Sequence, residues 1–182
     1  MAMTEPGTPD PISPADPAEV APQMAVSFLK ERVYATFTGL AIVLVMYRTY
    51  DHLTAAYAVE ILVLGVVAVV LAGFASDGIA HLAVHQQFPH GKDLRMLFRV
   101  ALSGLGTLVI PLILITLAGI DVLALDTALL IAGYVYIATL GLIGWLAVRN
   151  ARITWWQKLA ALVTLALIGL IVLAIQVLAH SH

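Results

Sequence analysis

The sequence predicts an all-α membrane protein, a bundle of five transmembrane helices with a disordered N-terminal tail. One reason is composition: 62% of the 182 residues are hydrophobic, 11% are charged and the mean hydropathy is +1.00. A soluble domain of this size cannot bury so much apolar surface. The other reason is that the apolar residues form five runs that approach or reach the ~20 residues needed to cross a bilayer. The predicted spans are about 33–50, 53–76, 97–120, 127–148 and 159–178.

Residues 1–23 differ in composition from the rest of the chain. They hold six of the eight prolines, four acidic residues and neither Lys nor Arg. Such a segment cannot bury enough apolar area to offset the entropy lost on ordering, so we expect a disordered tail. It also lacks the basic region and apolar run that open a secretory signal peptide. The transmembrane domain is therefore predicted to cover residues 24–182.

The first predicted span is the weakest of the five. Lys30, Glu31 and Arg32 flank it, and Thr36 lies within it. The run from residue 33 to residue 50 reaches spanning length only if the Tyr and Arg residues near its end lie at the membrane interface.

Basic residues are concentrated on one side of the predicted membrane. With five alternating spans, the region before the first span and the second and fourth loops face one side and carry eight of the nine basic residues, whereas Arg48 alone lies on the other. Because cytoplasmic loops carry the excess of Lys and Arg, the N-terminus is predicted to be cytoplasmic and the C-terminus outside. The eight are Lys30, Arg32, Lys92, Arg95, Arg99, Arg149, Arg152 and Lys158.

Several function classes are excluded by composition and motifs. The chain has no cysteine, so it has no disulfide, thiolate nucleophile or thiolate metal site. A net charge of -2 without a large basic cluster argues against nucleic acid and leaves the lipid bilayer as the expected partner. No HExxH, Walker or serine-hydrolase motif is present, which favours a role other than an enzyme.

Small residues on the predicted spans indicate close helix contacts. Gly65, Ala68 and Ala72 form a stripe on the second span, and small residues recur on the fourth. This spacing lets helix backbones approach in lipid, either within the bundle or against a second copy or a partner subunit. The fourth-span residues are Gly133, Gly141 and Gly144.

The third span contains a proline, Pro111, that leaves the Thr107 carbonyl without its usual donor. We expect a kink there. Either the kink allows tight packing of the bundle, or Pro111 acts as a hinge.

The chain opens its first span with Arg32-Val33-Tyr34-Ala35-Thr36 and ends its second in a polar helical segment. In these features it resembles uncharacterised small five-span integral membrane proteins of high-GC bacteria. The resemblance covers the first two spans. It implies placement in a bacterial plasma membrane and no particular chemistry.

Glu60 is the one acidic residue deep inside an apolar run. It lies ~10 Å inside the outer edge of the second span at 1.5 Å per residue, where a charge is costly to insert. Tyr134, Tyr136 and Arg48 are predicted to lie at a depth from which they can contact it. Two interpretations remain open: a proton or cation site, and a protonated carboxyl that makes one interhelical hydrogen bond.

Asp77, His81 and His85 are spaced at i, i+4 and i+8 at the end of the second span, and His90 follows. Adjacent side chains on one helix face can share a metal, and this donor set suits a divalent transition metal. The alternative is a solvated helix end rich in polar residues.

Three function classes remain from this pattern. One is a metal-dependent membrane enzyme, which would use the histidines but lacks an evident base or nucleophile. A small ion, proton or metal transporter would use Glu60, Asp77, Thr107 and Pro111 along a path through the bundle. An accessory or structural membrane subunit would use the small-residue faces and need no catalytic site. A path requires Glu60 and Asp77 to face the bundle interior, whereas a docking subunit can leave Glu60 on the outside.

The charge asymmetry makes a topology prediction. A reporter that is active only outside the membrane should work when fused after His182 and fail when fused at Gly91 or Asn150, because the basic loops stay in the cytoplasm. Activity of the Gly91 fusion would contradict the five-span arrangement.

Overall fold

The computed structural model describes residues 17–149 and, beyond them, residues 156–157, 159–160 and 163–164. All regular structure in this part of the chain is helical, which confirms the all-α prediction there. Two 3-10 turns, Tyr50–His52 and Gly106–Leu108, interrupt or connect the helices. The helices are α1 (Pro17–Arg48), α2 (Ala55–His85), α3 (Lys92–Leu105), α4 (Val109–Gly119) and α5 (Leu125–Arg149).

Among the described residues, three helical segments are long and apolar enough to cross a membrane: Ala55–Val84, Lys92–Gly119 and Leu125–Leu146. They coincide with the second, third and fourth predicted spans and are compatible with a membrane protein. The fifth predicted span, 159–178, lies outside the described residues except at 159–160 and 163–164.

Helix α2 continues past the predicted end of the second span at residue 76 as far as His85. Its polar last turns can be hydrated and so remain helical outside the apolar layer. At its start, the Thr54 side chain accepts a hydrogen bond from the backbone N–H of Tyr57 at 3.3 Å, which caps the helix.

Helix α1 begins at Pro17, inside the segment predicted as a tail. Proline is favoured at the first position of a helix because its missing N–H would have no partner there. The apolar part of α1 runs only from Val33 to Tyr47, short of the ~20 residues of a full span. This helix is accordingly not among the three spanning segments.

The same helix nevertheless lies at the centre of the bundle, in contact with α2, α3 and α5. Ala35, Val43 and Met46 on α1 are buried in the main hydrophobic core. From Gly39 to Val43, α1 meets first Tyr136 and then Gly133, so it runs antiparallel to α5. From Lys30 to Ile42 it meets first Asp77 and then Gly65, so it also runs antiparallel to α2. Glu31 and Thr36 of α1 are also buried, so protein covers these two polar side chains where lipid could not satisfy them.

The third span is not one continuous α-helix. The 3-10 turn Gly106–Leu108 separates α3 from α4, one turn before Pro111. A proline removes the hydrogen bond to the residue four positions earlier and its ring crowds that carbonyl, here that of Thr107. The buried Pro111 thus accounts for the interruption.

Glycines allow the closest helix contacts. A methyl group at Gly39 would overlap the ring of Tyr136, and one at Gly65 would overlap the side chain of Ile42. Gly133 lies beside Val43 in the same way, though less tightly. Gly65 and Gly133, both predicted as docking positions, therefore pack within the chain. The other small residues differ: Ala68, Ala72 and Gly141 are exposed, and Gly144 is buried.

Replacing Gly39 with alanine should destabilise the bundle. The added methyl group must displace the enclosed Tyr136 ring, an overpacking cost of about 1–3 kcal/mol that exceeds the gain in helix propensity of about 1 kcal/mol. Thermal unfolding in detergent measures the change. Gly78→Ala is the matched control, since a methyl group at Gly78 meets no atom of the described residues within 4 Å. Equal stability of the two variants would contradict the close contact.

Candidate functional site

An enclosed carboxyl group, that of Glu31, lies between α1 and α2. Its residue is 1% exposed, although the sequence places it beside two basic residues at the edge of the first predicted span. On α2 the carboxyl meets Gly73, where a methyl group would overlap both carboxyl oxygens. The Glu31 backbone faces Gly104 of α3. Gly73 therefore provides the space for this side chain, and Gly104 lets α3 approach the backbone of α1 beside it.

Neither carboxyl oxygen of Glu31 accepts a hydrogen bond from any described residue. The hydroxyl of Thr36, buried on the same helix, donates to the Arg32 carbonyl at 2.6 Å instead. Burying an ionised carboxylate without donors costs several kcal/mol, more than burying the neutral acid. The geometry consequently favours a carboxyl group that carries its proton.

The nearest charges are Lys30 and Asp77. The Lys30 Nζ atom donates to Asp77 Oδ1 at 2.8 Å and lies 3.8 Å from Glu31 Oε1, too far for a strong hydrogen bond. Lys30 and Asp77 balance each other's charge and join α1 to α2. The three groups together are neutral only when Glu31 is protonated.

The pKa values of Glu31 and Lys30 are both raised, which favours a neutral carboxyl group and a charged ammonium group. Glu31 lies two residues before the first predicted span, and burial raises the pKa of its carboxyl group, against a smaller lowering by Lys30. The hydrogen bond to Asp77 raises the pKa of Lys30, so this lysine stays charged. Glu31 is therefore the group whose burial favours its protonated form.

A second enclosed polar atom is the hydroxyl oxygen of Tyr136 on α5. Tyr136 is 1% exposed, its ring packs on Gly39, and its hydroxyl has no hydrogen-bond partner among the described residues. Gly39 follows Glu31 by two helical turns, ~12 Å along α1. Two unpartnered polar groups thus lie along one face of the central helix.

Glu60 does not belong to this cluster. It is exposed in the structure, and the buried Ala58 and Leu62 on either side of it show that it points away from the core. Of its predicted neighbours, Arg48 and Tyr134 are also exposed, and only Tyr136 is buried. No described residue donates a hydrogen bond to the Glu60 carboxylate. These four residues are therefore not brought together.

The residues proposed as metal ligands do not fit a divalent ion in the described part of the chain. Asp77 is engaged by the positive charge of Lys30, which opposes metal binding at the same carboxylate. Helix α2 ends at His85 and Gln86 adopts a left-handed conformation (φ 52°), so His90 does not share a face with Asp77 and His81. No group of three or more potential ligands occurs among the described residues, which leave out the His85 side chain.

Thr107 and Pro111 have structural roles in this arrangement. The Thr107 hydroxyl donates to the Gly104 carbonyl at 2.8 Å, and Pro111 is buried where α4 begins. Neither residue is shown to contact Glu31.

Sequence reasoning missed Glu31 because this residue was interpreted as one of three charged residues that flank the first predicted span. A signal was nevertheless present. Glu31 precedes Ala35, Gly39 and Val43 at intervals of four, so it shares the helix face that small residues mark for close packing.

Comparison of the chain with protein-family models, with curated proteins and with solved structures finds no match. The chemistry of the site is accordingly assigned from its geometry.

The raised pKa of Glu31 makes stability depend on pH. Below its ordinary value of 4.5 the carboxyl is protonated in both the folded and the unfolded protein, so burial adds no ionisation penalty. As pH rises from there toward the folded-state pKa, the unfolded chain loses this proton first and the free energy of unfolding falls. Glu31→Gln, which cannot ionise, should therefore gain stability relative to the unmodified protein from pH 4 to pH 8, as measured by thermal unfolding in detergent. Parallel pH curves for the two proteins would contradict this assignment.

Proposed function

We propose that this protein is a small transporter-like protein of the bacterial plasma membrane that transfers protons through Glu31. The observation that carries the proposal is the enclosed carboxyl group with no hydrogen-bond donor among the described residues. A carboxyl group enclosed in protein at the edge of a membrane helix bundle is costly to keep, and ionisable groups in such bundles typically mark an ion or proton pathway. Its donor-free surroundings favour the neutral acid, which suits a group that binds and releases H⁺.

The neighbouring ion pair supplies a way to couple protonation to helix position. When Glu31 is protonated, Lys30 is free to bind Asp77, as the 2.8 Å contact shows. When Glu31 releases its proton, a second carboxylate only 3.8 Å from Lys30 competes for the same ammonium group. Since Lys30 and Asp77 join α1 to α2, loss of the proton would weaken the contact between these helices.

Tyr136 extends the proposed path toward the other end of the bundle. A phenol can both donate and accept a hydrogen bond, and its unpartnered hydroxyl lies at Gly39, ~12 Å along α1 from Glu31. Ala35, the residue between them on this face, is fully buried, so proton transfer over this distance would need bridging water molecules. With the N-terminus in the cytoplasm, Glu31 would exchange its proton on the cytoplasmic side.

An accessory membrane subunit is the second candidate, and the exposure of Glu60 favours it. Glu60 lies on an outward face of α2 with the exposed Leu64 and Leu71. A carboxyl group on a lipid-facing surface is unfavourable, whereas a polar residue of a partner helix could hydrogen-bond with it. In this role the protein would bind its partner through α2 and carry no proton.

Proton flux in liposomes separates the two functions. Purified protein is reconstituted, a pH gradient is imposed, and the internal pH is followed with a trapped dye. Glu31→Gln retains the shape of the side chain but cannot release a proton, so flux should fall to the level of protein-free liposomes. Glu60→Gln is the matched control and should retain flux, because its side chain is outside the cluster.

Each result decides between the candidates. Unchanged flux in a folded Glu31→Gln variant would overturn the assignment of Glu31. Equal flux in liposomes with and without the unmodified protein would instead support the accessory subunit.

A further inference from the structure

Helix α3 has an outward face with two adjacent stripes. Leu94, Phe98 and Leu102 are 45%, 60% and 46% exposed and follow one another at intervals of four. Exposed basic residues form the other stripe, whose centre is about 90° away at 100° per residue. Val100, Ala101 and Gly104 on the opposite side are buried. The basic stripe consists of Lys92, Arg95 and Arg99.

The position of this face along the bundle matches the inner membrane boundary. Ile120 lies at the outer end of the third span, and Arg99 precedes it by ~31 Å at 1.5 Å per residue, about the thickness of the hydrocarbon core. Arg95 and Lys92 lie ~6 and ~10 Å farther out, within the headgroup layer. The apolar stripe extends from this layer toward the hydrocarbon.

The three cations of this face have no acidic partner in the described part of the chain. The ion pairs there are those of Lys30 with Asp77 and Glu31. Arg149, at the same end of the bundle, instead lies 5.0 Å from the centre of the Trp145 ring. Lys92, Arg95 and Arg99 are therefore available for a ligand with negative charge.

We propose that this face of α3 is a binding site for an anionic phospholipid of the cytoplasmic leaflet. Arg95 and Arg99 lie one helical turn apart and can both donate to one phosphate group, with Lys92 adding charge at the outer edge. Phe98 and Leu102 contact the acyl chains, which run from the phosphate toward the bilayer centre. Charge complementarity selects the headgroup, and the apolar stripe distinguishes a lipid from a free phosphate. This site does not depend on proton transfer by Glu31.

The test compares lipids that differ only in headgroup charge. Delipidated protein in an uncharged detergent is titrated with phosphatidylglycerol or with phosphatidylcholine of the same acyl chains, and binding is measured by native mass spectrometry and by the rise in thermal stability. We expect tighter binding of phosphatidylglycerol and a loss of this preference at high salt, since screening weakens surface charge interactions. Glycerol phosphate, which has no acyl chains, should bind far more weakly.

Substitution of the two arginines tests whether the phospholipid binds at this face of α3. Removal of each arginine should weaken phosphatidylglycerol binding roughly fivefold, so Arg95→Gln with Arg99→Gln should lose most of the preference. Arg48→Gln at the outer end also removes one exposed basic residue and should bind like the unmodified protein. Equal affinity of the unmodified protein for the two lipids would overturn the proposal. An unchanged preference for phosphatidylglycerol in the double variant would also overturn it. Equally tight binding of glycerol phosphate would exclude the acyl-chain contacts.

Discussion

The enclosure of α1 by its neighbours is the constraint on which the bundle depends. This helix carries Glu31 and Thr36 on buried positions, and its apolar part is too short to count as a full span. Lipid cannot satisfy such groups, so protein must cover them. Glycines supply the close approach that this requires, at Gly39 for the Tyr136 ring and at Gly73 for the Glu31 carboxyl. A helix with buried polar groups is for this reason the central one.

The two ends of the bundle carry side chains suited to different surroundings. At the end that holds the α1–α2 connection, the rings of Tyr47 and Tyr50 stack at 6.3 Å, and Tyr57 is exposed nearby. At the opposite end, Trp145 lies beneath Arg149 and the basic stripe of α3 is exposed. Aromatic and basic side chains tolerate the headgroup layer better than the hydrocarbon, so both ends are suited to a membrane interface.

The predictions that succeeded are those that depend on hydropathy along the chain. Hydropathy predicted three spans to within a few residues, except at their polar ends, because crossing lipid demands a long apolar run. They correspond to α2, to the interrupted pair α3 and α4, and to α5. The interruption before Pro111 also follows from local chemistry. Hydropathy does not state which face of a helix meets which neighbour. It therefore singled out Glu60, which is exposed, and passed over Glu31, whose burial depends on Gly73 in another helix.

The packing of Tyr136 against Gly39 has a consequence for biogenesis. Helix α1 is synthesised first, yet the α5 residue that covers its central face emerges only after α2, α3 and α4. Until then, the face of α1 around Gly39 lacks its cover from α5, and the apolar part of α1 is too short to anchor it firmly in lipid. We therefore expect α1 to pack stably only after α5, the last helix described here, has been made. A nascent chain truncated before α5 would leave α1 the segment most readily lost from the bilayer.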